Sequence, residues 1–135
     1  MSLFNWDDSL RVNVIEFDGQ HQRLVRYVNE LYEAIEARRG NEVLEQLLGA
    51  LLSYTETHFV AEESLMEKYG YPNYIKHKAE HDDLIRQVND LRKDFETKGT
   101  AMSLKVLVFL KDWVRNHIMG SDKRYSDFFK EHGVT

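Results

Sequence analysis

Residues 41–69 read NEVLEQLLGALLSYTETHFVAEESLMEKY, and their spacing decides the fold. Leu44, Leu47, Leu48, Leu51, Leu65 and Met66 recur at intervals of three or four along one face, the repeat of a helix with one buried side. The gap between Leu51 and Leu65 on that face is bridged by His58 and Glu62. Two polar side chains one turn apart on an apolar stripe require a partner, because burying polar groups unpaired is costly.

The pattern continues in both directions. Upstream, a first helix is predicted from Asp18 to Arg39, with Leu24, Val25, Val28, Leu31, Tyr32 and Ile35 on its stripe and His21 three residues ahead of Leu24. Downstream, a third helix from Tyr74 to Lys98 carries Leu84, Ile85, Val88, Leu91 and Phe95, led in by His77 and His81. A fourth, from Ala101 to Met119, carries Leu107, Leu110, Trp113 and Val114 and is extended by His117. Gly19, Gly40, Gly70, Gly99 and Gly120 fall near the proposed helix ends, and Pro72, the single proline, lies in a loop, as helix stops favour. Short connections imply antiparallel neighbours. The expected fold is all-α, an up-down-up-down four-helix bundle in one domain over residues 1–135. Residues 1–17 form an N-terminal arm, 18–119 the bundle, and 120–135 a C-terminal segment with a short helix near Asp122 to Lys130.

Topology then brings the polar residues together. In such a bundle the start of the first helix, the end of the second, the start of the third and the end of the fourth share one end. At about 1.5 Å of rise per residue, His21, His58, Glu62, His77, His81 and His117 reach similar depths. Asp122 follows His117 by five residues, an offset that a regular helix places on a different face. Gly120 lies between them, so a helix end or a π-type bulge is expected there to re-aim Asp122.

Five histidines and two carboxylates without any cysteine suit iron, manganese or zinc. Seven ligands exceed one ordinary site of four to six positions and suit two metals bridged by the carboxylates. Carboxylate-rich di-iron oxidases use paired Glu-x-x-His motifs. Here Thr55, Tyr74, Lys78 and Val114 stand three residues before His58, His77, His81 and His117, and only His21 has an acid at that offset, Asp18. A lone His-x-x-x-His most often sits on a solvated face, but five inward histidines converging by accident is a far weaker reading. Asp82, Asp83 and Glu63 read as solvated helix faces.

Composition closes other routes. The net charge is −5 over 135 residues, and no Lys/Arg block exceeds two residues, which argues against nucleic acid. The absence of cysteine excludes disulfides, thiolate zinc sites and iron–sulfur clusters and fits a cytoplasmic location. Residues 1–8 lack the basic start and apolar core of a signal peptide. The most apolar stretch, Leu104 to Val114, is too short to span a bilayer.

The ligand order resembles that of the hemerythrins, and the fuller sequence is similar to the single-domain bacterial members of that family. The matching segments are Gln20 to Leu24, His58 to Glu63, Met66 to Pro72, His77 to His81 and Trp113 to Asp122. The resemblance implies two iron ions (Fe2+/Fe3+) bridged by an oxo or hydroxo group, with no haem. It implies that His77, His81 and His117 hold one iron, that His21 and His58 hold the other, and that Glu62 and Asp122 bridge them. It further implies reversible O2 binding at the open position of the second iron, for transport, storage or sensing, with no catalytic residue. Besides O2, an O2-consuming enzyme or a signalling partner is the class of partner implied. The alternatives are a di-iron enzyme acting on peroxide or nitric oxide, and an iron-buffering protein.

An apolar pocket would protect bound O2, and Phe59, Trp113, Val114, Ile118 and Tyr125 are its candidate walls. Val114 stands where the family often carries leucine.

Overall fold

The computed structural model describes residues 4–38, 41–98 and 103–135, apart from the side chains of 41, 94–98 and 103–106. The expected helix ends at Arg39 and Ala101, the punctuating Gly40 and Gly99, and the side chain of Phe95 lie outside the described residues. Four long helices, α1 (Ile15–Glu36), α2 (Asn41–Tyr69), α3 (Tyr74–Lys98) and α4 (Ser103–His117), form the bundle. A short helix, α5 (Lys123–Glu131), follows, and a 3-10 turn at Asp8–Leu10 interrupts the arm. Among the described residues there is no strand. Among the described residues no helix is long and apolar enough to cross a membrane.

The bounds of α2 and α3 match the sequence expectation, while α1 begins three residues before Asp18. Its N-cap is Val14, which offers no side-chain hydrogen bond, so no capping residue marks the start. Asp18 instead sits in the first turn and accepts backbone N–H groups from Val12 (2.7 Å) and Asn13 (3.2 Å). Its carboxylate thus ties the arm to the helix, and a negative charge there also suits the helix dipole. Gly19 consequently lies inside the helix rather than at its end.

The C-terminus of α2 shows why a glycine is required. Gly70 has φ +69°, and Tyr71 donates its N–H to the Met66 carbonyl at 2.9 Å, the wrap-back that closes a helix end through a left-handed residue. The chain can then reverse within four residues into α3.

The apolar stripes face one another as their spacing predicts. Val28, Leu31, Leu44, Leu48, Leu51, Leu84, Val88, Leu107 and Leu110 are buried along the bundle axis. Full burial of such a side chain favours folding by about 1.5–3 kcal/mol before chain ordering is counted. At the other end Tyr125 and Phe129 of α5 are fully buried and close on Phe17, with ring centroids 5.8 and 6.2 Å away. The arm is tied down at two levels: Ser126 donates to the Val12 carbonyl at 2.7 Å at this end, and farther along α1 Asn29 exchanges two hydrogen bonds with the Phe4 backbone.

Between α4 and α5 the chain makes a π-helical turn at Ile118–Asp122. Its wider i→i+5 winding brings residues five apart back onto one face. Asp122 is thereby returned to the side of His117 that looks into the bundle.

Candidate metal centre

All seven residues singled out by spacing meet at the arm end of the bundle, and each is buried. They form two overlapping groups. Glu62, His77, His81, His117 and Asp122 offer ligand atoms within 4.8 Å of one another, and so do His21, His58, Glu62 and Asp122. Glu62 and Asp122 belong to both.

The carboxylates divide their oxygens between the two groups. Glu62 Oε1 lies 3.3 Å from His81 Nε2 and 3.6 Å from His77 Nε2, while its Oε2 lies 3.2 Å from His21 Nε2 and 3.3 Å from His58 Nε2. Asp122 Oδ1 lies 2.9 Å from His77 Nε2 and 3.1 Å from His117 Nε2, and its Oδ2 is 3.0 Å from His21 Nε2. The two groups therefore contain three and two histidines, joined by two carboxylates.

These contacts are not a self-sufficient hydrogen-bond network. Glu62 Oε1, His77 Nε2 and both oxygens of Asp122 are buried without a hydrogen bond, although oppositely polar atoms stand close by. The Nε2 atoms of His81 and His117 face each other at 3.1 Å, a pairing in which one ring must supply a proton or both present lone pairs to a third party. Buried polar atoms ordinarily find partners. Convergent but unmatched nitrogen and oxygen lone pairs are what a pair of divalent cations requires, so the residues fit such a centre.

The electrostatics point the same way. Burial would raise the Glu62 carboxyl, but the charge of His58 and the close approach of the His21, His58 and His77 rings hold it well below 4.5. Burial and the neighbouring Glu62 charge likewise oppose ionisation of Asp122, and His117 and His21 overcome them. Burial disfavours a charged His21, yet Asp122 and Glu62 raise it to about 10, and His77 is raised to about 9 against the same opposition. Without metal, protons on imidazole supply the positive charge that the two carboxylates demand.

The outward nitrogens are held too. His81 Nδ1 meets Glu63 Oε2 at 2.8 Å, His117 Nδ1 lies 3.3 Å from Glu80 Oε2, and His58 Nδ1 hydrogen-bonds the Gln20 side-chain carbonyl. Ser121 of the π turn donates to Glu80. An Nδ1–H donated outward leaves the Nε2 lone pair facing inward. Glu63 is thus no solvated face residue. Its partner comes from another helix, and only its position beside Glu62 hinted at a role. Gln20 and Glu80, equally adjacent to His21 and His81, had no signal beyond that adjacency. Ring stacking fixes two imidazoles further: Phe59 lies parallel to His81 at 3.6 Å and Trp113 nearly parallel to His117 at 4.3 Å.

An apolar cavity runs from the two-histidine side along the bundle axis. His21, His58, His117 and Asp122 form its inner end, Phe59, Trp113, Val114 and Ile118 its walls, and Leu51, Leu84, Val88 and Leu110 its far part. Tyr125 lies outside it. Its hydroxyl instead donates to Glu62 Oε2, and burial together with the Glu62 and Asp122 charges keeps the phenol protonated well above pH 10. Of the cavity residues, Leu24 was visible in the sequence only as a stripe member and Thr55 only as the residue three before His58.

The family model for the hemerythrin HHE cation binding domain matches residues 13–128. A bacteriohemerythrin of Stenotrophomonas maltophilia is 33% identical over 132 residues, covering 98% of this chain and 85% of the relative. One from Methylococcus capsulatus is 36% identical over 126 residues, covering 93% and 95%. The crystal structure of a wild-type hemerythrin, 34% identical, superposes with a TM-score of 0.86 over 93% of this chain and 97% of that one. A match that runs from the arm into the last helix, joined by relatives alike over most of their own lengths, fixes the ancestry: this chain belongs to the hemerythrin family.

Proposed function

We propose that this protein binds O2 reversibly at a non-haem di-iron centre, as an oxygen carrier, store or sensor rather than as an enzyme. The observation that carries this reading is the division of Glu62 and Asp122 between a three-histidine and a two-histidine group, with an apolar cavity that reaches both histidines of the latter and only His117 of the former. His77, His81 and His117 would hold one iron and His21 and His58 the other, with both carboxylates shared. When bound there, such an iron pair would supply the reversible two-electron chemistry that O2 binding and release require. With two carboxylates and two histidines, the second position has fewer protein ligands than the first, which leaves room for a small ligand there.

The chain's own residues serve this task in three ways. The histidines and carboxylates hold charge: two buried carboxylates offset part of the cationic charge and leave five neutral imidazoles as donors. Phe59 and Trp113 keep the imidazole planes of His81 and His117 fixed by stacking, so the centre is pre-shaped. Val114, Ile118 and the leucines beyond them give water few partners, which favours a small apolar guest and restrains proton entry. Apart from the candidate ligands His21, His58, His117 and Asp122, no titratable side chain among the described residues lines the cavity, where Thr55 turns its hydroxyl back to the Leu51 carbonyl at 2.7 Å.

The test is optical. The protein is loaded with iron, reduced anaerobically, exposed to O2 and then purged with argon. A visible charge-transfer band that appears with O2, vanishes on purging and returns supports a reversible carrier. Direct conversion to a stable oxidised spectrum, with no reversible step, would move the reading to an enzyme acting on peroxide or nitric oxide, or to iron handling. Failure to take up iron would remove the assignment.

A further inference from the structure

The hydrogen bonds behind the ligands are unequal on the two sides of the centre. On the three-histidine side the outward partners are anions: Glu63 is hydrogen-bonded to His81 at 2.8 Å, and Glu80 stands in ion-pair contact with His117 Nδ1 at 3.3 Å. Glu63 is largely shielded, with 16% of its side chain exposed, so its charge is poorly screened by solvent. On the two-histidine side the partner of His58 is the neutral amide of Gln20. His21 Nδ1 is buried with no hydrogen-bond partner among the described residues. The shared carboxylate repeats the contrast, because Tyr125 donates to Oε2 of Glu62, the oxygen facing His21 and His58, while Oε1, facing His77 and His81, receives no hydrogen bond.

Each difference acts in the same direction. A carboxylate accepting the Nδ1 proton makes an imidazole a stronger donor at Nε2. An amide oxygen does so less, since hydrogen bonds to charged acceptors are roughly twice as strong. A phenol donating to a carboxylate oxygen withdraws electron density from that oxygen. The three-histidine position is therefore enriched in donor strength and the two-histidine position depleted, beyond the difference of one ligand.

We infer that Glu63, Glu80, Gln20 and Tyr125 are positioning residues that set the two metal positions apart in affinity and potential. The cation on the three-histidine side binds first and stabilises the higher charge, and the more weakly donating side is left to exchange its ligand. This rests on the di-iron reading above, and it concerns residues that touch no metal.

Stepwise loading with Co2+ tests it, since Co2+ stands just above Fe2+ in the affinity order for such ligands. The d–d absorption and a competing chelator report each step in the full chain. The unsubstituted protein should take up two ions in two resolved steps. Glu63→Gln should weaken the first step by about tenfold and leave the second within about twofold. Gln20→Glu should strengthen the second step and narrow the interval, although it removes no ligand and adds none. Loaded with iron, Glu63→Gln should also raise the midpoint potential of the first-bound ion. Circular dichroism of the metal-free variants checks folding, and Glu80→Gln, the more exposed site, serves if Glu63→Gln misfolds. Equal weakening of both steps, or an interval that Gln20→Glu does not move, would overturn the inference while leaving the di-iron reading intact. Uptake of fewer than two ions by the unsubstituted protein would overturn both.

Discussion

His21 and His77 stand at about 10 and about 9 in the metal-free protein, so both carry protons at neutral pH. A cation at Nε2 must displace those protons. Despite burial, His81 is raised as well by Glu62 and Glu63, so loading at pH 7 should release at least about two protons per chain, and apparent affinity should fall as pH is lowered. A pH-stat titration reads the release directly, and uptake without proton release would contradict the proton-balanced centre. The same interactions set the stability of the metal-free form. The histidines are raised above 6.5 on folding, so their contribution is complete below that value and is lost as pH climbs through about 9 and 10. Glu62 and Asp122 are depressed, so theirs is present above about 4.5 and fades in acid. Because one set of contacts underlies both, the metal-free protein should be most resistant to urea between about pH 5 and 6.5, losing resistance steadily from there towards pH 9 to 10. Val114 offers a different single-residue prediction. It lines the cavity, and replacing it by the larger leucine should narrow the space open to water and slow loss of the O2-binding form several-fold. An unchanged autoxidation half-life for Val114→Leu would remove that role.

Two glycines divide sharply at the scale of the helix. Gly70 holds φ +69° at the end of α2, where a side chain is disfavoured by about 1–2 kcal/mol. Gly120, in the π turn, has no positive φ, and a Cβ there would meet nothing within 4 Å. Gly70→Ala should lower the unfolding free energy measured in urea by that amount, while Gly120→Ala should leave both stability and metal stoichiometry nearly unchanged. Loss of two-metal uptake in Gly120→Ala would show that the turn needs glycine itself. The elements also show where sequence stops being informative. α2 and α3 were legible to the residue because their stripes are long and Gly70 and Pro72 punctuate the join. The start of α1 was not, since Val14 carries no capping group. The five-residue offset between His117 and Asp122 already required irregular winding, and the π turn supplies it. The role of Glu63 was invisible: its partner, His81, lies eighteen residues away on α3, and nothing in the local spacing of α2 distinguishes a glutamate that bonds a histidine from one facing water.

Over the whole molecule, the long apolar core of the bundle and the polar centre occupy different lengths of the same axis. Leu48 is buried well away from the ligands, so Leu48→Ala should cost about 2–5 kcal/mol in stability yet leave two-metal uptake intact. A large loss of stoichiometry in that variant would show that the core and the centre are coupled. Removing metal by chelation should lower Tm in proportion to metal affinity while preserving helical circular dichroism, since the stripes pack without it. The arm and α5 sharpen this division. At one end Asp18 holds Val12 and Asn13, Ser126 holds Val12, and Phe17, Tyr125 and Phe129 interlock. Towards the opposite end, Ala34 and Leu44 are buried in the packing of α1 against α2, and the described residues place no such interlock of arm and α5 there. Opening fluctuations should therefore be graded along the axis. In deuterium exchange, amides near residues 17–25 and 55–66 should be the last to label, those near residues 31–36 and 44–48 the earlier ones. A small guest would then pass through the bundle by its looser half and come to rest in the tighter.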